Sequence, residues 1–488
     1  MNNYSFQDIA KGKYGRKIAY TSEEFIDESN VVSVLADTLG TFIHNKAAIQ
    51  YLWDYKNGDQ PIRYRKKTIR DDVNNIVVEN HAYEIVRFKN GQTFGEPVQF
   101  VSTSKDEKVN ESVELLNKLM RKTFKQRKDI DSGEWTSAVG TGFKAVGIVP
   151  EAEIPFCITV PTPMNTYIVY SEKNGEPMMA VQELKDSEKK LYYLCYTKTH
   201  EYRIQNSKLV TIDADENGTE IKSRLHVFGG IPIVEIPNNQ SRISDIELVI
   251  DILDALNNMQ SNRMDAIEQF VQSWVKFVNC DVDEETFNKM KTAGALVVKS
   301  NNGSDNKADV DIMSQELNQQ QSQIAKDDLW DNALSILAIP NRSDGSGDRQ
   351  GATFLKNGWD FSKQSAMLKD AYVVESETRL AEIVLNILRV EKGSNYCPLS
   401  TMDFEVNIVH SPTDNLQVKT QSLQMLLAMG ISPLVAIKTS GLWSDAEKVF
   451  NLSKPYLDNL YKTIDDAIEE QGLQDEVEKA QELLNQAM

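Results

Sequence analysis

The chain has 488 residues, enough for two to four domains, and 41% of them are hydrophobic. It carries 72 acidic against 53 basic side chains, a net charge of −19, which excludes a protein that coats nucleic acid, because such binding rests on cations neutralising phosphates. Cys157, Cys195, Cys280 and Cys397 form no C-x-x-C pair, residues 1–17 hold no apolar signal core, and no apolar run is long enough for a bilayer, so metal scaffolds, secretion and membrane spanning are not expected and the thiols read as small apolar residues in a reducing compartment.

In chain order, residues 22–56 read as a helix with Val31, Val32, Leu35, Leu39, Phe42, Ile43, Ile49 and Leu52 on its apolar face, broken by Asn57-Gly58-Asp59. Pro61 to Lys66 reads as a short strand with a basic rim, and Asn75 to Arg87 as a helix closed by Asn90-Gly91. Glu107 to Arg127 has Val109, Val113, Leu116, Leu119, Met120 and Phe124 at helical spacing, and residues 134–140 continue helically to Gly140-Thr141-Gly142.

From Phe143 to Ile236 the texture is that of strands. They are predicted at 144–149, 156–160, 166–170, 178–184, 191–196, 201–205, 209–212 and 234–236, with turn signals such as Asn174-Gly175 and Asn217-Gly218 between them.

Ser244 to Val278 holds no Gly or Pro. It predicts one helix on the order of 52 Å long, with Ile246, Val249, Ile250, Leu253, Leu256, Met264, Ile267, Phe270, Val271, Trp274, Val275 and Val278 on one side. Glu247, Asp251, Asp254, Asp265 and Glu268 fall on the opposite side. A second breaker-free run, Gln315 to Ile339, ends at Pro340. Two long antiparallel helices with a small module between them make a stalk with a tip. That tip, residues 279–312, predicts a short helix (284–291) and strands at 295–299 and 308–312.

Asn341 to Gly351 is a Gly/Ser/Asp-rich loop containing Arg342, Asp344, Asp348 and Arg349. A long helix follows at 362–389, then a lone strand at 404–409. Residues 414–488 read as helical, with breaks at Gly430/Ser432-Pro433 and at Gly441/Ser444.

Catalytic signatures are absent. There is no phosphate-binding G-x-x-x-x-G-K-[ST], no H-E-x-x-H and no G-x-S-x-G. The histidines at 44, 81, 200, 226 and 410 never sit at metal-ligand spacing, and Asp327-Asp328 and Asp465-Asp466 read as solvated pairs on helices. No enzyme activity, cofactor or metal is therefore expected. The acid stripe admits two readings. One is an ordinary solvated face. The other is a ring of such helices lining a tunnel, where repulsion acting within a Debye length of about 8 Å centres a polyanion and lets it slide.

Four stretches carry a family resemblance. Phe228-Gly229-Gly230-Ile231-Pro232-Ile233-Val234-Glu235-Ile236-Pro237-Asn238-Asn239, then Arg242-Ile243-Ser244-Asp245-Ile246-Glu247 and Ile250-Asp251 through Asp254-Ala255, resembles the portal proteins of tailed bacteriophages, specifically those of siphophages infecting Gram-positive bacteria. Tyr55-Lys56-Asn57-Gly58 with Gln60-Pro61-Ile62 is similar to the family's early motif. Asn74-Asn75-Ile76-Val77 through Phe94-Gly95-Glu96-Pro97-Val98 is similar to the next, and Leu427-Ala428-Met429-Gly430-Ile431-Ser432 resembles a late helical break.

The resemblance implies an α+β multidomain fold and a set of expected regions. These are a mixed α/β wing at 1–240 with 341–412 returning to it (its helix and strand at 352–412), and a two-helix stem at 241–278 and 313–340. A small α/β clip follows at 279–312, a tunnel loop at 341–351 and an all-helical crown at 413–488. It implies a ring, expected as a dodecamer, at one capsid vertex of the virion, assembled in the host cytoplasm, through which double-stranded DNA is packaged and ejected. Implied partners are the terminase, the head–tail adaptor, and the major capsid and scaffolding proteins, with no membrane.

On this expectation Glu247, Asp251, Asp254, Asp265 and Glu268 line the channel. Arg342, Asp344, Asp348 and Arg349 touch DNA, and Glu284, Glu285, Lys289, Lys299 and Asn301 of the clip bind partners. The alternative is another phage connector or capsid-associated protein without a DNA channel.

Overall fold

The structure is a computed structural model. It describes residues 6, 14–67, 72–214, 220–271, 274–278, 285, 288, 309–313, 319–341, 349–410, 416–443 and 446–456. Chain contacts divide it into two compact units: Met1–Phe94 with Leu119–Pro398, and Gly95–Lys118 with Leu399–Met488.

In chain order the strands are β1 (Ala19–Thr21), β2 (Gln99–Ser102), β3 (Thr141–Ile148), β4 (Phe156–Thr159), β5 (Thr166–Ser171), β6 (Pro177–Lys185), β7 (Leu191–Tyr196), β8 (His200–Gln205), β9 (Lys208–Val210), β10 (Asp213–Ala214), β11 (Glu220–Ile221), β12 (Ser223–Leu225), β13 (Ile233–Pro237), β14 (Trp274–Val278), β15 (Asp309–Met313) and β16 (Phe404–Asn407). The helices are α1 (Val31–Lys56), α2 (His81–Phe94), α3 (Glu107–Lys122), α4 (Lys125–Val139), α5 (Ile250–Val271), α6 (Gln319–Ile336), α7 (Arg349–Lys392), α8 (Leu416–Ala428) and α9 (Pro433–Ser440), with a further helical run at 446–456.

In the larger unit a seven-stranded sheet runs β1-β5-β6-β7-β8-β12, with β9 also on β8. Only the β1–β5 pair is parallel. β13-β3-β4 form a separate antiparallel sheet. Helix α1 serves two cores. Val31, Val34, Leu35 and Phe42 pack on Val169, Met179 and Val181 of the large sheet. Leu52 and Tyr55, near its other end, pack with Ile85 of α2, Ile246, Leu253 and Leu256 of the α5 region, and Leu337. Helices α5 and α6 are therefore the outer members of a packed core. Their joint is antiparallel, with Arg263 Nη1 donating to Gln323 at 2.8 Å and Leu253 sharing the cluster with Leu337. Beyond the helices, β14 pairs antiparallel with β15.

In the smaller unit β16 pairs with β2. Phe100 meets Phe404 edge-on at 5.3 Å, and Asn117 bonds both the N–H and the carbonyl of Phe100. Lys419 Nζ ties α8 to the carbonyl of Gly441 after α9.

Several sequence expectations need correction. The 244–278 helix is only Ile250–Val271, and Trp274–Val278 is a strand. Trp, Val, Phe and Val around one Lys suit a pleated ladder, and positions 274 and 278 share a side in either period. Pro61–Tyr64 is a 3₁₀ turn rather than a strand, since Pro61 opens it with a pre-set φ. The helix read from Asn75 begins at His81 and runs through Asn90-Gly91 to Phe94. The first helix starts at Val31, not at 22. Glu107–Arg127 is two helices divided at Phe124, whose φ is 56°. The strand at 404 is paired rather than alone. The strands predicted between 143 and 236 are all observed, with bounds shifted by at most three residues, the largest at β3, which begins at Thr141.

Candidate functional site

Motif residues from the stretches at 55–62, 74–80 and 228–247 converge on one place, the seat of α5. The first contact is electrostatic. Glu247, wholly buried, accepts from Arg16 Nη2 with both oxygens (2.6 and 2.7 Å), from Gly15 N (2.7 Å) and from Ser244 N (3.0 Å). Burial pulls the Arg16 guanidinium below its ordinary pKa, while Glu247 pushes the other way.

The chain reaches this point through a tight crossing. Gly140 has φ +90°, and a Cβ there would lie 2.0 Å from the carbonyl oxygen of Arg242. At Gly15, φ +84°, a Cβ would lie 2.2 Å from the carbonyl of Ser241. Only glycine permits both approaches. Asn238 and Asn239 both donate to the carbonyl of Ile243, and Asn239 also accepts from the Ile243 N–H. Arg242 forks onto Glu235. The Phe228–Glu247 motif thus builds the turn that launches α5 from β13.

The second contact is a ladder. Residues 73–80 form neither helix nor strand. They run antiparallel along α5 and hand it their backbone N–H groups. Asn75 N donates to Asp265 Oδ1 (2.6 Å), Val77 N to Ser261 Oγ (3.0 Å) and Glu79 N to Asn257 Oδ1 (2.9 Å). The spacing explains why this works. Two residues of extended chain advance about 6.6 Å, and four residues of helix about 6.0 Å, so every second amide meets every fourth side chain. Asn257 also donates to Gln60, and Asn80 donates to the carbonyl of Lys56.

Basic and aromatic groups finish the seat. Lys67 and Arg65 pair with Asp265, Arg65 at 3.2 Å. Partial burial works against the Asp265 carboxylate, but Lys67 and Asn75 hold its pKa below the usual value. Glu268 accepts from Asn75 Nδ2. Tyr55 donates to Asp254 at 2.9 Å. No cation contacts Asp254 among the described residues; burial, with Asp251 adding, pushes its pKa up to about 6. On α6, Lys326 pairs with Glu79 at 2.5 Å, and Trp330 stacks on His81 at 4.0 Å. The hydrogen bond from His81, then Lys326, pulls the Glu79 pKa down.

Four charges inside the same unit form a closed box. Lys125 and Lys144 each pair with both Asp129 and Glu377, and all four are buried. Despite burial, the two lysines hold the Glu377 pKa at about 2.

These positions revise the stripe. Glu247 and Asp265 are buried anchors, Glu268 and Asp254 are half-buried and bonded to other parts of the chain, and Asp251 alone of the five is exposed. The stripe is an internal docking face, so Glu247 and Asp265 have no surface to present to a passing duplex. Arg342, Asp344 and Asp348 lie outside the described residues, as do Glu284, Lys289, Lys299 and Asn301; Glu285 is exposed and helical. Arg349 opens α7 rather than sitting in a loop.

Among the described residues no group of three or more His, Cys, Asp or Glu could hold a metal ion. Among the described residues no helix is long and apolar enough to cross a membrane. Burial pushes the Cys195 thiol up, as it does Cys397, to about 11, which keeps both unreactive.

The geometry is that of a rod seated in a body. A family model described as "Phage portal protein, SPP1 Gp6-like" matches residues 41–433. The chain belongs to that family. The match takes in every element of the seat except Gly15 and Arg16. No curated protein matches the chain. As a portal family member it is a structural protein of the phage connector type, with a mixed α/β multidomain fold.

Proposed function

We propose that the protein assembles into a ring, expected to be a dodecamer, at one capsid vertex and conducts double-stranded DNA during packaging and ejection. In this reading α5 and α6 are the stem, β14 and β15 with the residues between them form the clip, and the larger unit supplies the wing. The helices after 412 belong to the crown. The observation that carries the reading is the family match over 41–433 together with the paired rods seated in a rigid body. The clip docks the terminase motor first and the head–tail adaptor later. Asp251 is the stripe residue left to face a channel, beside exposed Asn258 and Asn262, so the stem wall is more neutral-polar than acidic. Such a wall offers few cations to release counterions and retain DNA.

Electron microscopy of the purified chain tests this. Rotationally symmetric rings with an open bore are expected. Monomers at every concentration, or assemblies with a closed axis, would overturn it.

A further inference from the structure

Two exposed segments of the larger unit mirror one another in charge and share a feature. Residues 121–128, Arg-Lys-Thr-Phe-Lys-Gln-Arg-Lys, hold five cations and no anion. They form the knuckle between α3 and α4. Lys125 is committed to the buried box. Arg121 and Lys122 are exposed and make no ion pair among the described residues, and Arg127 reaches Asp131 only at 3.8 Å. At the centre Phe124 is 75% exposed, held at φ 56°. That backbone region is costly for a bulky L-residue, yet here it turns the ring outward.

Residues 22–29, Ser-Glu-Glu-Phe-Ile-Asp-Glu-Ser, are the counterpart: four anions and no cation. They form the loop between β1 and α1, with Phe25 78% exposed. Glu24 has one exposed partner, Lys173, and Asp27 is braced by Ser29 and Asn30. Within one chain no hydrogen bond or ion pair joins the loop to the knuckle among the described residues.

We infer that the Phe25 loop of one copy docks on the Phe124 knuckle of the next copy of this chain. An aromatic anchor inside a charged rim is the usual anatomy of a protein contact. A chain at −19 repels its own copies, so association needs a place where cations are left over. The knuckle is such a place, and the loop carries the matching anions. Because the two surfaces differ, the contact is heterologous and closes into rings when its rotation closes. This rests on the ring reading above and adds the residues that join neighbours. A duplex fits the cations but gives Phe124 and the acidic loop no role.

The test uses the full chain, with native mass and sedimentation at low and high salt and circular dichroism as a control of folding. Glu24→Lys with Glu28→Lys, and separately Lys122→Glu with Arg127→Glu, should each weaken association at least about tenfold. Mixing the two variants should restore it, since each then meets its opposite charge. Phe124→Gly relieves the backbone, so it should weaken association without lowering the melting temperature. If wild type forms rings and the charge variants match it in subunit number and salt response, the contact is wrong and the ring reading stands. If wild type stays monomeric, both fall. If Lys122→Glu with Arg127→Glu loses binding to a short DNA duplex while association is unchanged, the knuckle is a nucleic-acid surface and the inference is overturned.

Discussion

Replacing Glu247 by Ala removes the group on which the seat of α5 converges. The carboxylate takes two buried hydrogen bonds from Arg16, a buried one from the Ser244 N–H and a part-buried one from the Gly15 N–H. Its loss strands a buried guanidinium whose Nε and Nη1 make no hydrogen bond among the described residues. Breaking a buried pair from one side costs about 3–5 kcal/mol, and each orphaned amide adds about 1 kcal/mol, partly overlapping. About 4 kcal/mol, at roughly 2 °C per kcal/mol for a large domain, lowers the melting temperature by about 8 °C. Scanning calorimetry reads it directly. The double change Arg16→Met with Glu247→Leu should recover much of the loss, because an apolar pair of similar volume escapes the desolvation cost. A Glu247→Ala melt within about 1 °C of wild type would refute the argument.

Other outcomes follow from the same geometry. Asp254 has a carboxyl raised to about 6, so its favourable contribution is full below the unfolded value near 4 and is lost as pH rises through 6; Asp254→Asn should melt higher than wild type at pH 8 and converge with it near pH 4, and parallel melting curves across that range would contradict this. Glu377, held at about 2, contributes stability that is full above its unfolded value near 4.5 and is lost as pH falls from there through about 2; Glu377→Gln should cost about 3–5 kcal/mol at pH 7 by leaving Lys125 and Lys144 underpaired, read from thermal melts. Gly140→Ala must push the Arg242 carbonyl aside and should cost more than about 2 kcal/mol. Gly175→Ala has a similar φ, 72°, but open space around it, and should cost about 1 kcal/mol. Equal losses for the two glycines would show that the crossing is not tight.

What the sequence disclosed depended on the range of the interactions. Most strands from 141 to 237 were legible because alternation and markers such as Asn174-Gly175 are local, whereas the short β10, β11 and β12, two or three residues each, hold too little pattern to read. The pairing of two long helices was legible from two breaker-free runs and the short stretch between them. Residues 75–80 were misread because Ile76 and Val77 extend the apolar spacing of α2 backward, whereas their amides are claimed by side chains about 180 residues away. The acid stripe was seen as a pattern, but Arg16 lies 231 residues from Glu247, and no periodicity reports a partner at that distance. The division at Phe124 was hidden because the helical spacing of α3 runs on to Phe124 itself.

The amide ladder has a mechanical corollary. A shove along the axis of α5 loads Asn257, Ser261 and Asp265 together rather than in turn. Slippage by one helical residue satisfies none of them, and the next position that satisfies any lies about 6 Å away. The rod is in effect keyed into its housing. Tension or thrust delivered at its far end reaches residues 75–79 as a single displacement, and the helix does not creep.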